Sequence, residues 1–378
     1  MTAFRTVSHH GSLTVVIVGA GAMGREWMRT AHENPDVELV GVADLSEDAA
    51  RSSLAEVGLA GVATGTDGVD LALALGADAL IDVTIPAAHH AVTMKALNAG
   101  LPVLGEKPAA ATVAEALSLA AAAEATGELF VVSQSRRYNA GLFSLRHLVG
   151  SIGRVGLVDV GFYRDPRFGG FREEMAHPLL LDMAIHPFDG ARFLLGVEPV
   201  SVTCDEFNPV WSPFAGDAAA AVDFRMSDGS RFLYNASWAS PGLQTSWNGE
   251  WRVSGEAGTV LWNGDDEPVS SVTSGSSVAP VPPGDSIAGS LADFVLALRT
   301  GTAPFGEVHE NIMSLVMVEA AVIASERGAQ VEIDEILTAA HREAIAAEKD
   351  AGAAAVLRSW TSVRDALSAG GPAPLTST

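Results

Sequence analysis

Two hydrophobic patterns divide this chain. Over the first 135 residues, short runs of consecutive apolar residues alternate with stretches whose apolar positions recur at helical spacing. Leu13–Val18 (LTVVIV) is rich in β-branched residues, as a strand buried on both faces requires. Met23–Asn34 carries a helical pattern that stops at Pro35, and Val37–Ala43 gives a second strand. Ala79–Val83, Pro102–Leu104 and Leu129–Ser133 continue the series, separated by Ala-rich helical segments. This alternation predicts an α/β domain with a doubly wound parallel sheet and right-handed crossovers.

The texture changes near residue 150. Val155–Tyr163 and Ala218–Trp238 alternate apolar and polar positions, with a hairpin turn predicted at Ser227–Ser230. Trp247–Val253 and Gly258–Trp262 extend the pattern, which predicts an α+β domain with a largely antiparallel open sheet. Gly275–Gly284 reads as a surface loop. Helical spacing returns at Ser290–Arg299 and Asn311–Arg327, and an amphipathic Ala-rich tail runs from Asp334 to Ala369. The expected division is a leader at 1–12, a doubly wound domain at 13–135, an α+β domain at 136–333 and a helical tail at 334–378 that docks on the body or on a partner subunit.

Composition narrows the function classes. A length of 378 residues suits two domains, and 48% hydrophobic residues exclude a disordered chain. The formal charge of −23 repels a phosphate backbone and argues against nucleic-acid binding. Cys204 is the lone cysteine, which favours a reducing cytoplasm. No apolar run of membrane-spanning length is expected, and the leader lacks the apolar core of a signal peptide, so no membrane partner is expected either. His9 and His10 read as part of a polar leader, and no metal site is expected.

The first strand runs directly into Gly19-Ala-Gly21-Ala22-Met23-Gly24 and a helix. The glycines serve a tight turn, close approach to a pyrophosphate, and helix–strand packing; the helix N-terminus favours the anion. Asp44 ends the second strand 20 residues beyond Gly24, placed to accept both ribose hydroxyls of an adenosine. It would repel a 2′-phosphate, and Leu45-Ser46-Glu47 supplies no arginine, so NAD is favoured over NADP. Ala22, Met23 and Leu45 fall to the same cofactor site.

Lys107, in Gly105-Glu106-Lys107-Pro108, follows a short strand at the edge where open α/β sheets bind ligands. Asp182 and His186 are four residues apart, a spacing that puts both on one helix face. A carboxylate beside an imidazole favours and orients its charged form, which suits proton transfer near neutral pH. A helix-surface ion pair satisfies the same spacing. His177 is a candidate for choosing the substrate, with a solvent-facing histidine as the alternative. Tyr138, Tyr163, Asp165 and Arg172 are further candidates for gripping a polyol. Trp238, Trp247, Trp251 and Trp262 fall in strand patterns as packing residues, or as a platform for a sugar ring.

In this order, GAGAMG, Asp44, Thr84-Ile85-Pro86 with His89 or His90, GEKP, Arg136-Arg137-Tyr138 and Asp182-x-x-x-His186 resemble the glucose–fructose oxidoreductase/inositol dehydrogenase/MocA (Gfo/Idh/MocA) family over residues 13–333. The resemblance implies a Rossmann domain for NAD and a second domain whose open sheet forms homo-dimers or homo-tetramers. It implies that Lys107 hydrogen-bonds the reacting hydroxyl, that His186 is the catalytic histidine with Asp182 as its partner, and that Thr84, Ile85, His89, Glu106 and Ser135 line the cofactor. The implied reaction is NAD-dependent oxidation of a secondary hydroxyl on a sugar, cyclitol or glycoside. Alternatives on the same scaffold are imine reduction, or NAD-recycling epimerisation or elimination. A ligand-sensing regulator is the non-enzymatic alternative.

Overall fold

The computed structural model describes residues 4–272 and 279–368. The loop expected at 275–284, the leader and the tail therefore fall partly outside the described residues. The chain forms two compact units. The first holds residues up to Ser135 together with Pro283–Ile312 and a segment from Ala339, and the second holds Arg136–Pro282 and Met313–Thr338.

In the first unit, β1 (Leu13–Val18), β2 (Val37–Ala43), β3 (Ala63–Gly65), β4 (Ala79–Asp82), β5 (Val103–Glu106) and β6 (Phe130–Ser133) form one parallel sheet. Their order is β3-β2-β1-β4-β5-β6. The order reverses beside β1, and the crevice at the carboxyl ends of β1 and β4 is where such sheets take ligands. The crossovers carry α1 (Ala22–Glu33), α2 (Glu47–Glu56), α3 (Gly68–Leu75), α4 (Pro86–Asn98) and α5 (Val113–Thr126). Ser46, Asp67 and Thr112 cap α2, α3 and α5 through their side chains.

The second unit begins with α6 (Ala140–Val149), β7 (Val155–Tyr163) and α7 (Ile185–Leu195). It continues through β8 (Pro199–Phe207), β9 (Ala219–Met226), β10 (Arg231–Ser237), β11 (Glu250–Gly255), β12 (Thr259–Trp262) and β13 (Val269–Ser270). The β9–β10 turn contains Gly229 at φ +88°, a backbone state that glycine adopts without steric cost. The sheet is mixed: β7 and β10 pair in parallel, and its other pairings are antiparallel. Strand alternation buries Val158, Val160, Phe224, Phe232 and Tyr234 on one face. Phe188 of α7 meets Phe224, Phe232 and Tyr234 edge-on at 5.0–5.8 Å, which fixes α7 on that face.

Helix α8 (Ser286–Thr300) belongs to the first unit, although the sequence pattern assigned it to the second domain. Leu291, Phe294, Val295 and Leu298 are buried in one core with Trp27, Met28, Leu129 and Val131. Helical spacing marks an apolar face without saying which core receives it. Helix α9 (Val308–Arg327) follows, then β14 (Val331–Glu332), which pairs with β8. It corrects a second expectation, because α9 is long and apolar enough to cross a membrane; 78% of its most apolar window is buried within the protein. Its apolarity is that of a core helix.

The chain ends in α10 (Ile333–Ala347), α11 (Ala351–Ser359) and α12 (Val363–Ser368). The described tail is no separate body: from Ala339 to Ser368 it belongs to the first unit, and α11 packs on α5. Alanines on α5 permit the approach, since a Cβ on Gly352 would lie 3.2 Å from the Ala125 Cβ.

Candidate functional site

The nucleotide half of the site lies in the first unit, where β1 turns into α1. Gly19 has φ +104°, and a Cβ there would lie 2.5 Å from the Val83 carbonyl oxygen. A Cβ on Gly24 would lie 2.1 Å from the Gly19 carbonyl oxygen, so only glycine lets α1 start this close to the strand. Gly21 differs from both, because no protein atom lies within 4 Å of a Cβ built there. That space adjoins the N-terminus of α1, which has no side-chain cap and leaves its amides to an anion.

Asp44 directly follows β2 in a fixed pose, with Oδ2 accepting from the Ala20 amide at 2.9 Å and Oδ1 from the Ser46 amide at 3.0 Å. A carboxylate oxygen has more than one lone pair, so both retain capacity for ribose hydroxyls. Met23, Leu45 and Ile85 are 45%, 96% and 67% exposed, and Ala22 is exposed beside them. These residues offer apolar surface to a cofactor, and the glycine cradle and anchored acid fit a dinucleotide.

At the end of β4, buried Asp82 accepts from the Thr84 amide and hydroxyl and from the Thr93 hydroxyl. Burial pushes its carboxyl pKa up, against the opposing effects of His89 and these hydrogen bonds. His89 is an internal brace: Nδ1 lies 2.7 Å from the Pro108 carbonyl oxygen and Nε2 3.0 Å from that of Thr84. His90 instead contacts the Ser118 hydroxyl at 2.8 Å. Glu106 accepts from the Trp27 indole at 2.8 Å, and burial raises its pKa although the indole and Lys107 oppose the shift. Half-buried Lys107 precedes a cis peptide bond to Pro108. Ser135, half-buried, starts a short 3-10 turn through Tyr138.

The second unit holds the remaining candidates. Leu179–Ala184 is a π-helical turn that leads into α7, carrying Asp182 on the turn and His186 at the start of the α-helix. Such turns insert a residue into a helix and re-aim its side chains. Arg172 pairs with Asp182, with Nε 2.7 Å from Oδ2. Its guanidinium also lies over the rings of Phe168 and Phe171. His186 lines a cavity with Arg136, Leu142, Pro187, Gly190, Asn248, Trp251 and Trp262.

The other candidates disperse. Tyr138 is 1% exposed, inside the core. Tyr163 neighbours Asp159 and Glu250, and burial followed by those charges raises its pKa. These residues lie on the sheet face opposite Val158, Val160 and α7, so Tyr163 is turned away from His186. Asp165 pairs with Arg167. His177, little exposed, contacts Glu206 at 2.8 Å and Glu326 at 3.6 Å. Burial pushes the Glu206 pKa up to about 7, against the neighbouring His177. Trp238, Trp251 and Trp262 are buried, while Trp247 is 39% exposed.

Sequence reasoning did not single out Trp27, Asp82 or Arg136. The first two are a helix-face indole and a strand carboxylate until the turn closes over them. The Arg136-Arg137 pair carried a signal, but only the structure separates their roles: Arg137 is buried against Asp189, whereas Arg136 faces the His186 cavity.

An alternating parallel sheet, a glycine cradle and an acid at the end of β2 define an NAD-binding Rossmann oxidoreductase. The chain belongs to the Gfo/Idh/MocA oxidoreductase family: the model for its NAD-binding Rossmann fold matches residues 13–134, and that for its C-terminal domain matches 146–261. It is 28% identical over 312 residues to the rhizopine catabolism protein MocA of Rhizobium meliloti, covering 81% of this chain and 92% of that protein. It is 31% identical over 194 residues to an inositol 2-dehydrogenase of Acidiphilium cryptum, covering 50% and 56% respectively. An oxidoreductase from Agrobacterium radiobacter, solved with NAD+, L-tartaric acid and magnesium, shares the fold with a TM-score of 0.76 at 18% identity, over 86% of this chain and 100% of that one.

Proposed function

We propose that this oxidoreductase oxidises a secondary hydroxyl of a sugar, cyclitol or glycoside, with NAD rather than NADP as cofactor. The observation that carries the reading is the open cradle at Gly21 beside Asp44, whose carboxylate is anchored by two backbone amides. Asp44 would accept the ribose hydroxyls and disfavour a 2′-phosphate. The Gly19–Gly24 turn and the uncapped start of α1 would hold the pyrophosphate. Bound NAD+ supplies the hydride acceptor.

The chain's own residues handle orientation and the proton. Lys107 donates a hydrogen bond to the reacting hydroxyl and stabilises the negative charge that grows on it, which lowers the barrier because the interaction strengthens in the transition state. His186 accepts the proton as general base. Asp182 stabilises the charged imidazole, and Arg172 holds Asp182 in place. Names of relatives such as inositol 2-dehydrogenase and D-apiose dehydrogenase support a polyol or sugar substrate. Homo-dimers or homo-tetramers through the open face of the second sheet belong to the same reading.

The test is NADH formation across a panel of sugars, inositols and glycosides, with NAD+ and NADP+ in parallel. Turnover is expected with NAD+, and Lys107→Ala and His186→Ala are each expected to lower kcat/KM by about 100-fold or more. Turnover that survives both substitutions would remove these residues from the mechanism. Preference for NADP+ would remove the role given to Asp44.

A further inference from the structure

Among the described residues, the second unit carries two half-buried arginines that form no ion pair with a carboxylate. Arg137 and Arg192, both fully buried, each bind a carboxylate: Arg137 that of Asp189, and Arg192 that of Glu198. Among the described residues, Arg136 and Arg164 make no such ion pair. Arg136 donates through Nη1 to the Trp247 carbonyl, and Arg164 through Nη1 to the Thr245 carbonyl at 2.7 Å. The Arg164 guanidinium also stacks 4.6 Å from the centre of the Trp247 ring, and its buried Nε has no hydrogen-bond partner. The two cations therefore bracket one half-exposed tryptophan, and Arg136 lines the cavity that contains His186.

This arrangement is costly without a ligand. Burial pushes Arg136 down to about 10, against the opposing effects of Tyr234 and Asp182, and Asp182 already holds Arg172. A guanidinium offers five N–H donors, and a carbonyl occupies only one. In a chain of charge −23 a neutralising carboxylate would be easy to supply, yet these two positions have none. An arginine fork matches carboxylate and phosphate oxygens, and partial burial strengthens the match.

Building on the dehydrogenase reading, we infer that the substrate is an anionic sugar, whose carboxylate or phosphate is held by Arg136 and Arg164 while Trp247 lies along its carbon skeleton. An indole face suits the C–H groups of a sugar, and the two guanidinium groups set which end of the molecule points toward His186. Neutral polyols would lose the ionic contact and leave both cations partly desolvated.

The test is kcat/KM with NAD+ for matched pairs: D-glucuronate against D-glucose, D-gluconate against sorbitol, and myo-inositol 1-phosphate against myo-inositol, with further aldonates, uronates and sugar phosphates. At least one anionic member is expected to exceed its neutral counterpart by ten-fold or more, with a KM that rises with salt. The carboxylate and phosphate arms separate the two oxyanions. Arg136→Met and Arg164→Met are each expected to reduce that anionic-to-neutral ratio at least ten-fold. A wild-type ratio at or below one throughout would overturn the inference and leave the dehydrogenase reading standing. If no sugar turned over although NADH bound, the dehydrogenase reading would fail. Calorimetry of the NADH-bound protein would then decide the anion site: binding of a sugar acid or phosphate abolished in Arg164→Met would sustain it, and no binding by any would overturn it.

Discussion

A methyl group at Gly21 and one at Gly24 would have different consequences, although the residues share a turn. At Gly24 the methyl meets the Gly19 carbonyl at 2.1 Å, backbone against backbone, so Gly24→Ala must displace α1 from β1. A loss of about 2–4 kcal/mol of stability is expected, visible as a lowered Tm. At Gly21 the backbone is at φ −70°, open to any residue, and nothing crowds the added carbon. Gly21→Ala should leave Tm nearly unchanged while weakening NADH binding by about ten-fold or more, because the methyl takes the space assigned to the pyrophosphate. Calorimetric Kd and thermal unfolding on both variants separate the two roles; an unchanged Kd in Gly21→Ala would remove the cradle from the cofactor site. The glycine spacing was legible in the sequence because the turn is local. The bracing of Asp44 by the Ala20 amide was not, because it joins two strands.

Helices show where pattern ends and packing begins. The apolar spacing of α8 was readable, but its partner was not: Phe294 and Leu298 share a core with Trp27 and Val131 although more than 160 residues of chain separate them from the latter. Phe294 is 1% exposed, so Phe294→Ala should cost about 3–5 kcal/mol and lower the unfolding midpoint in urea. A change under about 1 kcal/mol would mean that α8 is not part of that core. The Asp182–His186 spacing was also read as a plain helix, whereas the first part is π-helical. Propensity does not encode such a turn; the ion pair to Arg172 and the packing of Leu179, Leu180 and Met183 hold it. Likewise, the alternation in β7 and β10 gave strands without revealing that these two run parallel.

On the scale of the whole molecule, the returning C-terminal segment makes a charged contact with the first unit. His309 is 4% exposed and lies 2.7 Å from Glu307 and 3.0 Å from Glu124, which also accepts from the Trp360 indole at 3.2 Å. Burial opposes the imidazolium, yet the two carboxylates outweigh it and raise the His309 pKa to about 9. A histidine raised above its unfolded value near 6.5 contributes its full stabilisation below that pH and loses it as pH rises through about 9. Stability should therefore fall by a few kcal/mol at most between these values, and His309→Gln should flatten that part of the profile. Denaturation midpoints from pH 6 to 9.5 check this; an equal slope in both proteins would assign the loss to other groups.

The sequence by itself determined the elements that depend on near neighbours: the strand–helix alternation, the glycine turn and the acid that follows β2. These follow from backbone sterics and apolar periodicity, whose range is a few residues. Tertiary structure decided what depends on distant partners. It returned α8 and the described tail from Ala339 to the first unit, bound His177 to Glu206, buried Tyr138, and, among the described residues, left Arg136 and Arg164 without an ion pair. A side chain's charge and shape are written in the sequence. Its burial and its partner are settled only when separate segments compete for the same space, and those two properties distinguish a structural arginine from one that awaits a ligand.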